Sequence, residues 1–245
     1  VVFMVAVGVF AGISFGTYAN AATSLYDGIY DGEDGINLAD IWVENPSGIW
    51  NESTSDKICS SIENDWPDSD YKLEGCESRL ILNGMMFTSD SSGNDKAIPA
   101  VWHGIDEGLV DKVWMPTYSE LSSGRIAENP DEIVLDSHIA TALEVEVEDT
   151  IEISSGYGKS TYKVVGIGFH SMHLYFATEG SSIPAEAGTF ATGYMTDEGL
   201  EALANLSAGS SNMILIDLEG SPVYDLQSTT EVNENPELTK LVNDI

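Results

Sequence analysis

The sequence predicts an α+β fold carried outside a membrane, and three observations lead there. Val1 to Tyr26 contains no charged residue. Beyond it, short apolar stretches of period two alternate with stretches of helical period, without one rhythm dominating. Between Leu121 and Gly168 a Gly-Arg pair, an acidic turn, a strand, a short helix and a hairpin follow in fixed order.

A helix crossing a ~30 Å hydrocarbon core needs about 20 apolar residues. Val1 to Phe15 is almost wholly apolar, so residues 1–26 are expected to be the C-terminal part of a transmembrane helix. The rival reading is a secretory signal peptide, because Ala19-Asn20-Ala21 has the small-x-small form of a cleavage site. Against it, the apolar run is long for such a signal, and neither an initiator Met nor a basic flank precedes it. The missing flank leads us to expect a piece of a longer chain, cut inside or just before its membrane helix. On both readings the residues after about Asp27 are extracytoplasmic.

The 245 residues carry 41 acids against 9 bases, a formal charge of -32. Nucleic acid and anionic headgroups are bound through Lys and Arg, so this charge excludes a nucleic-acid function. Self-repulsion of that size calls for screening counterions, which points to a halophilic or marine prokaryote. Hydrophobic residues still make up 42%, enough for a core beneath an acidic coat.

In chain order, Ile36 to Glu44 reads as a strand and Ser55 to Asn64 as an amphipathic helix. Arg79 to Thr88 and Ala97 to Ile105 read as strands, joined by an exposed turn at Ser89 to Asp95 rich in Ser, Gly and Asp. Asn129-Pro130-Asp131 is turn chemistry ahead of the strand Ile133 to Leu135. Asp136 is placed to cap a helix over Ser137 to Leu143, whose Ile139, Ala140 and Leu143 share one face. Ile151 and Ile153 then alternate with polar residues, and Tyr162, Val164 and Val165 begin the return strand after the turn at Gly156 to Lys159. Further on, Gly188 to Thr196, Asp197 to Leu206 and Asn212 to Leu218 spell strand, helix, strand. Thr196 is the cap there, and Leu200, Leu203 and Ala204 face inward. Pro236 after Asn235 opens a last helix.

Cys59 and Cys76 are the candidates for a single disulfide in an oxidising compartment, worth on the order of 3 kcal/mol; the alternative is two unlinked small hydrophobes. Two thiols without partners at finger spacing do not complete a metal site. Gly158-Lys159-Ser160 lacks the glycine that a phosphate-binding loop needs at position 153, and a strand follows it. Gly166-Ile167-Gly168 lacks the third glycine of a dinucleotide fingerprint, and no Gly-x-Ser-x-Gly elbow exists. His170 and His173 would point apart on a strand. His103 and His138 stand singly. Asp27, Asp31, Glu33 and Asp34 offer oxygens for Ca²⁺ but depart from loop spacing. We therefore expect no catalytic, cofactor-binding or metal residues. Asn51-Glu52-Ser53 and Asn205-Leu206-Ser207 are glycosylation sequons.

The Leu121 to Gly168 succession resembles the extracytoplasmic core domain of FtsX-like and MacB-like permeases of ABC transport systems. The matching residues are the L-x-x-G-R entry at Leu121 to Arg125 and the D-E-I-V-L-D strand at Asp131 to Asp136. D-T-I-x-I at Asp149 to Ile153 and Y-K-V-V-G-I at Tyr162 to Ile167 complete the set. Family members commonly carry glycine in the two turns before the hairpin, where this chain has Glu144 and Glu148. The resemblance implies a β-α-β repeat subdomain interrupted by an inserted β-rich subdomain, preceded by a transmembrane helix, with residues 22–44 as the junction. On that basis residues 27–108 and 181–245 form the two parts of the β-α-β subdomain, and residues 109–180 the insert. It also implies a non-catalytic subunit coupling ATP hydrolysis on a separate cytoplasmic ABC ATPase to work on an exported substrate or envelope protein, with a second permease protomer as partner in a dimer. A membrane-anchored or secreted surface binding protein remains the alternative. A secreted hydrolase with paired carboxylates is a further class, but among so many acids no pair can be singled out.

Overall fold

A computed structural model describes residues 39–45, 48–89, 95–105, 122–156, 158–168, 186–220 and 236–245. The expected membrane segment at 1–26 lies outside the described residues, and among those described no helix is long and apolar enough to cross a membrane. The described residues form an α+β architecture, with one three-stranded and one seven-stranded sheet.

The smaller sheet has the order β1 (Ile41–Glu44), β10 (Met213–Leu218), β2 (Leu73–Arg79). Because β10 runs antiparallel to both neighbours, β1 and β2 are parallel and form a β-α-β unit split by one strand. Its crossover helix is α1 (Glu52–Asn64). The helix begins ahead of its first apolar turn because the Asn51 carboxamide oxygen accepts from the Thr54 amide at 3.0 Å, satisfying a donor the first turn leaves open. Ile58, Cys59 and Ile62 of α1 and Leu238 and Leu241 of α4 (Pro236–Asp244) cover Ile214, Ile216 and Leu218. Strand alternation in β10 sends Leu215 to the opposite face, against Ala39.

The larger sheet has the order β5 (Ser123–Gly124), β8 (Lys159–Gly168), β6 (Glu132–Asp136), β9 (Ala191–Met195), β4 (Asp95–Gly104), β3 (Ile81–Ser89), β7 (Thr150–Ser154). A further pairing of β7 with β8 closes it on itself. Strand β8 is shared: Lys159 to Lys163 pair with β7, and Lys163 to Gly168 pair in parallel with β6. Closure leaves β7 no free edge. The interior is filled by Trp102, Ile133, Leu135, Ile153 and Val164, capped by Ile139 of α2 (Ser137–Leu143) and by Leu200 and Leu203 of α3 (Asp197–Ala204). Trp102 is fully buried, and its indole nitrogen donates to the Ser154 carbonyl at 2.8 Å. Two glycines make room for the ring. A Cβ on Gly193 would lie 2.9 Å from the indole, and one on Gly84 would collide with the Ser154 carbonyl oxygen.

The strand, helix and hairpin between Leu121 and Gly168 stand in the expected order as β6, α2, β7 and β8. Asp136 caps α2 by accepting from the His138 amide at 2.8 Å. Glu144 ends that helix at φ 55, and Glu148 follows at φ 82. These are left-handed conformations that cost an L-residue roughly 1–2 kcal/mol, against roughly 0.5–1 kcal/mol of extra chain entropy for glycine. Glu148→Gly is therefore expected to stabilise the protein by about 0.5–1 kcal/mol, read as a raised urea midpoint. The exposed Glu148–Lys163 pair it removes contributes little.

Three expectations about the elements change. The single strand expected over Arg79 to Thr88 is two strands that meet at Leu80 and lie in different sheets. Strand β2 extends back to Leu73, although its residues Glu74, Gly75 and Glu77 carry little apolar pattern. The strands flanking α3, expected as one β-α-β unit, are β9 in the larger sheet and β10 in the smaller. After α3 the chain turns at Gly209, whose Cα packs so closely on Glu52 that a Cβ would lie 2.4 Å from the Glu52 Cβ, and so it leaves toward α1 and the smaller sheet. Strands β3, β4 and β9 hydrogen-bond in the same sheet as the 109–180 strands.

Candidate functional site

Among the described residues the chain crosses between its two sheets at two places, and the crossings touch. In the first, Arg79 ends β2 and Ile81 begins β3, with only Leu80 between them. Leu80 is buried in the larger core, and its carbonyl accepts from the Gly104 amide at 2.9 Å. In the second, Ser210, Ser211 and Asn212 lead from α3 into β10.

Asn212 lies where these segments meet. Its backbone belongs to the smaller sheet: the amide donates to Arg79 O at 3.0 Å, and the carbonyl accepts from Asn45 N at 2.8 Å. Its side chain belongs to the larger sheet: Oδ1 accepts from Ile81 N at 2.9 Å and Nδ2 donates to Ile81 O at 2.8 Å. One residue back, Ser211 and Trp50 exchange both backbone bonds at 2.7 and 3.1 Å, tying the start of α1 to the same spot. Ser210 N donates to the buried Glu201 carboxylate at 2.9 Å. Sequence reasoning missed Asn212. Asn212 reads from the sequence as the first residue of a strand with no role for its side chain, and its partner lies 131 positions away.

The Gly-Arg entry also has a geometric role. The Arg125 guanidinium forks the Glu132 carboxylate at 2.8 and 2.6 Å, and that carboxylate also accepts from Glu128 N, Asn129 N and Asn129 Nδ2. The guanidinium, followed by these amides, holds the Glu132 carboxyl far below the usual carboxylate range. All five donors go to one carboxylate, so the arrangement closes the 125–132 loop.

Asp40, at the start of β1, accepts from Leu218 N at 2.9 Å. Burial, with Asp217 and Glu74 nearby, pushes its carboxyl up to about 6. A raised acid opposes folding above its unfolded value near 4, so stability falls as the pH rises from about 4 to 6. Unscreened, that shift would be worth about 3 kcal/mol; partly solvated, the group contributes about 1. Asp40→Asn is expected to recover about 1 kcal/mol at pH 7.5 and nothing near pH 3.5, measured by urea unfolding across pH.

The remaining candidates separate. Cys59 on α1 and Cys76 in mid-β2 form a disulfide with their Cα atoms 5.5 Å apart. His138 Nδ1 sits 2.8 Å from Asp136 Oδ1, and this bond raises the imidazole above its ordinary value. His103 is buried, its ring centroid 5.3 Å from that of Tyr194. His170, His173, Asp27, Asp31, Glu33 and Asp34 lie outside the described residues. Among the described residues no group of three or more His, Cys, Asp or Glu could hold a metal. Gly158 and Ser160 flank Lys159 at the start of β8, where the ammonium pairs with Glu152 and lies 3.9 Å above the Phe87 ring. The glycines of Gly166-Ile167-Gly168 are strand residues of β8 opposite Val134 and Asp136. Asn51 caps α1, and Asn205 ends α3 at φ 53. A groove of about 760 Å³ runs between β1, α1 and α4, lined by Trp42, Ile62, Val242 and Ile245 together with Glu44, Asp65 and Asp244; such a lining disfavours an anionic ligand.

No protein-family model matches the chain, and no curated protein does. Solved structures do. The chain is similar to the periplasmic region of MacB from Actinobacillus actinomycetemcomitans at 10% identity and a TM-score of 0.37, covering 67% of this chain and 66% of that one. It is also similar to the extracellular domain of the noncanonic ABC-type transporter YknZ from Gram-positive bacteria, at 12% identity and a TM-score of 0.38, covering 74% and 85%.

Proposed function

We propose that the chain is the extracytoplasmic domain of an ABC transporter permease subunit, coupling ATP hydrolysis on a separate cytoplasmic subunit to conformational work on an envelope or exported substrate. The observation that carries this reading is the backbone at Glu144 and Glu148. Both residues adopt positive φ at the two turns where FtsX-like and MacB-like permeases commonly place glycine, so the turn geometry is kept where the residue is not. The L-x-x-G-R entry supports it, with Arg125 closing its loop onto Glu132, as does a β-rich body inserted between β2 and β10 of the smaller sheet.

In this role the domain catalyses nothing and acts as a lever. The charge-free residues 1–26 would anchor it in the cell membrane, residues after about Asp27 would stand outside the cytoplasm, and a second permease protomer would complete a dimer. The test is to tag the full-length protein in its source, solubilise the membranes in mild detergent and identify what copurifies. A stoichiometric chain with a complete phosphate-binding loop is the expected result. Recovery in the aqueous fraction without such a chain would defeat the reading.

A further inference from the structure

The two bodies of this domain share a short seam, and one residue at its centre belongs to both. We infer that the Asn212 carboxamide is a latch that holds the three-stranded and seven-stranded sheets at one mutual orientation. The β10–β2 ladder runs through the pair Met213 and Arg79 and would end where β3 turns away at Leu80. The Asn212 side chain extends it by one more step. Its Oδ1 and Nδ2 meet Ile81 N and O at 2.9 and 2.8 Å, so a side-chain amide stands in for a backbone peptide group, offering one acceptor and one donor at the same spacing. The orientation of the amide is fixed by its partners, because Ile81 N can only donate and Ile81 O can only accept.

The chemistry is specific to asparagine. Aspartate would set a carboxylate oxygen against the Ile81 carbonyl, serine reaches one group and not two, and alanine reaches neither. The Asn212 backbone is simultaneously held by Arg79 O and Asn45 N in the smaller sheet. Rotation of one sheet against the other therefore breaks the side-chain pair before it breaks either ladder. The Trp50–Ser211 bridge lies beside the latch, on the smaller sheet's side of the seam. The purpose of the latch, transmitting motion from the smaller sheet to the larger as one rigid piece, rests on the lever reading above; its existence does not.

The test uses the chain with its disulfide intact and spin labels at Lys240→Cys on α4 and Thr161→Cys on β8, both exposed and one on each body. The unsubstituted junction is expected to give a single narrow distance distribution. Asn212→Ala and Asn212→Ser are expected to broaden it and to speed hydrogen exchange at the Ile81 amide about tenfold, the equivalent of one to two lost hydrogen bonds. Ser155→Ala, which removes a buried hydroxyl bond to Leu203 O inside the larger body, is the control and should do neither. If Asn212→Ala fails to fold, the serine variant decides. An unchanged distribution in the Asn212 variants, or equal broadening in Ser155→Ala, overturns the latch. The transport reading stands or falls separately, on the copurification experiment.

Discussion

Trp102→Ala is expected to cost about 3–5 kcal/mol of unfolding free energy, the range for emptying a fully buried aromatic site. Trp102 has no exposed surface and stands on β4 in register with Leu82 of β3 and Gly193 of β9. Its indole reaches past Gly84 to donate to Ser154 on β7, so one side chain ties four strands of the closed sheet. Gly84 and Gly193 cannot fill the void, since neither has a side chain to move. Trp102→Phe separates the two contributions: it keeps most of the volume and leaves the Ser154 carbonyl without its donor, for about 1–3 kcal/mol. Urea unfolding followed by far-ultraviolet circular dichroism measures both. A loss below about 1.5 kcal/mol for the alanine variant would mean that the sheet closes without the ring.

Reducing the Cys59–Cys76 bridge, or replacing both residues by serine, is expected to cost about 3 kcal/mol on the chain-entropy model for a 17-residue separation. In a domain of this size that corresponds to a fall in melting temperature of roughly 6–12 °C. The effect should concentrate on the smaller body. Its core is a handful of side chains between α1, α4 and one face of β10, and the bridge fastens α1 directly to β2. Amide exchange in α1 should accelerate on reduction well before exchange in β6 or β9 does. Equal acceleration in both bodies would show that they unfold as one unit with or without the bridge.

Much of this architecture is legible residue by residue. Asp136 and Thr196 each precede a helix and accept from its first turn, whereas Asn51 opens α1 three residues ahead of the expected start at Ser55. The alternation of Ile151 and Ile153 sends both to the interior, and Pro236 opens a helix where a missing donor costs nothing. The polar clusters were less readable. Glu132 collects five donors within a motif whose order can be recognised but whose bonding cannot be deduced from spacing.

Local sequence determined the helices and the strongly patterned strands, because caps and periodicity act over a few residues, but not β2, whose residues carry little apolar pattern. It also determined the acidic coat and the charge-free first 26 residues. Only the tertiary structure decided where each strand pairs: that β2 and β3 part at Leu80, that β9 and β10 join different sheets, and that Asn212 bridges them. The reason is physical. An apolar face specifies that it must be covered but not by what, and the choice among partners more than a hundred residues apart is made by packing around Trp102 and Leu80, which no local pattern records.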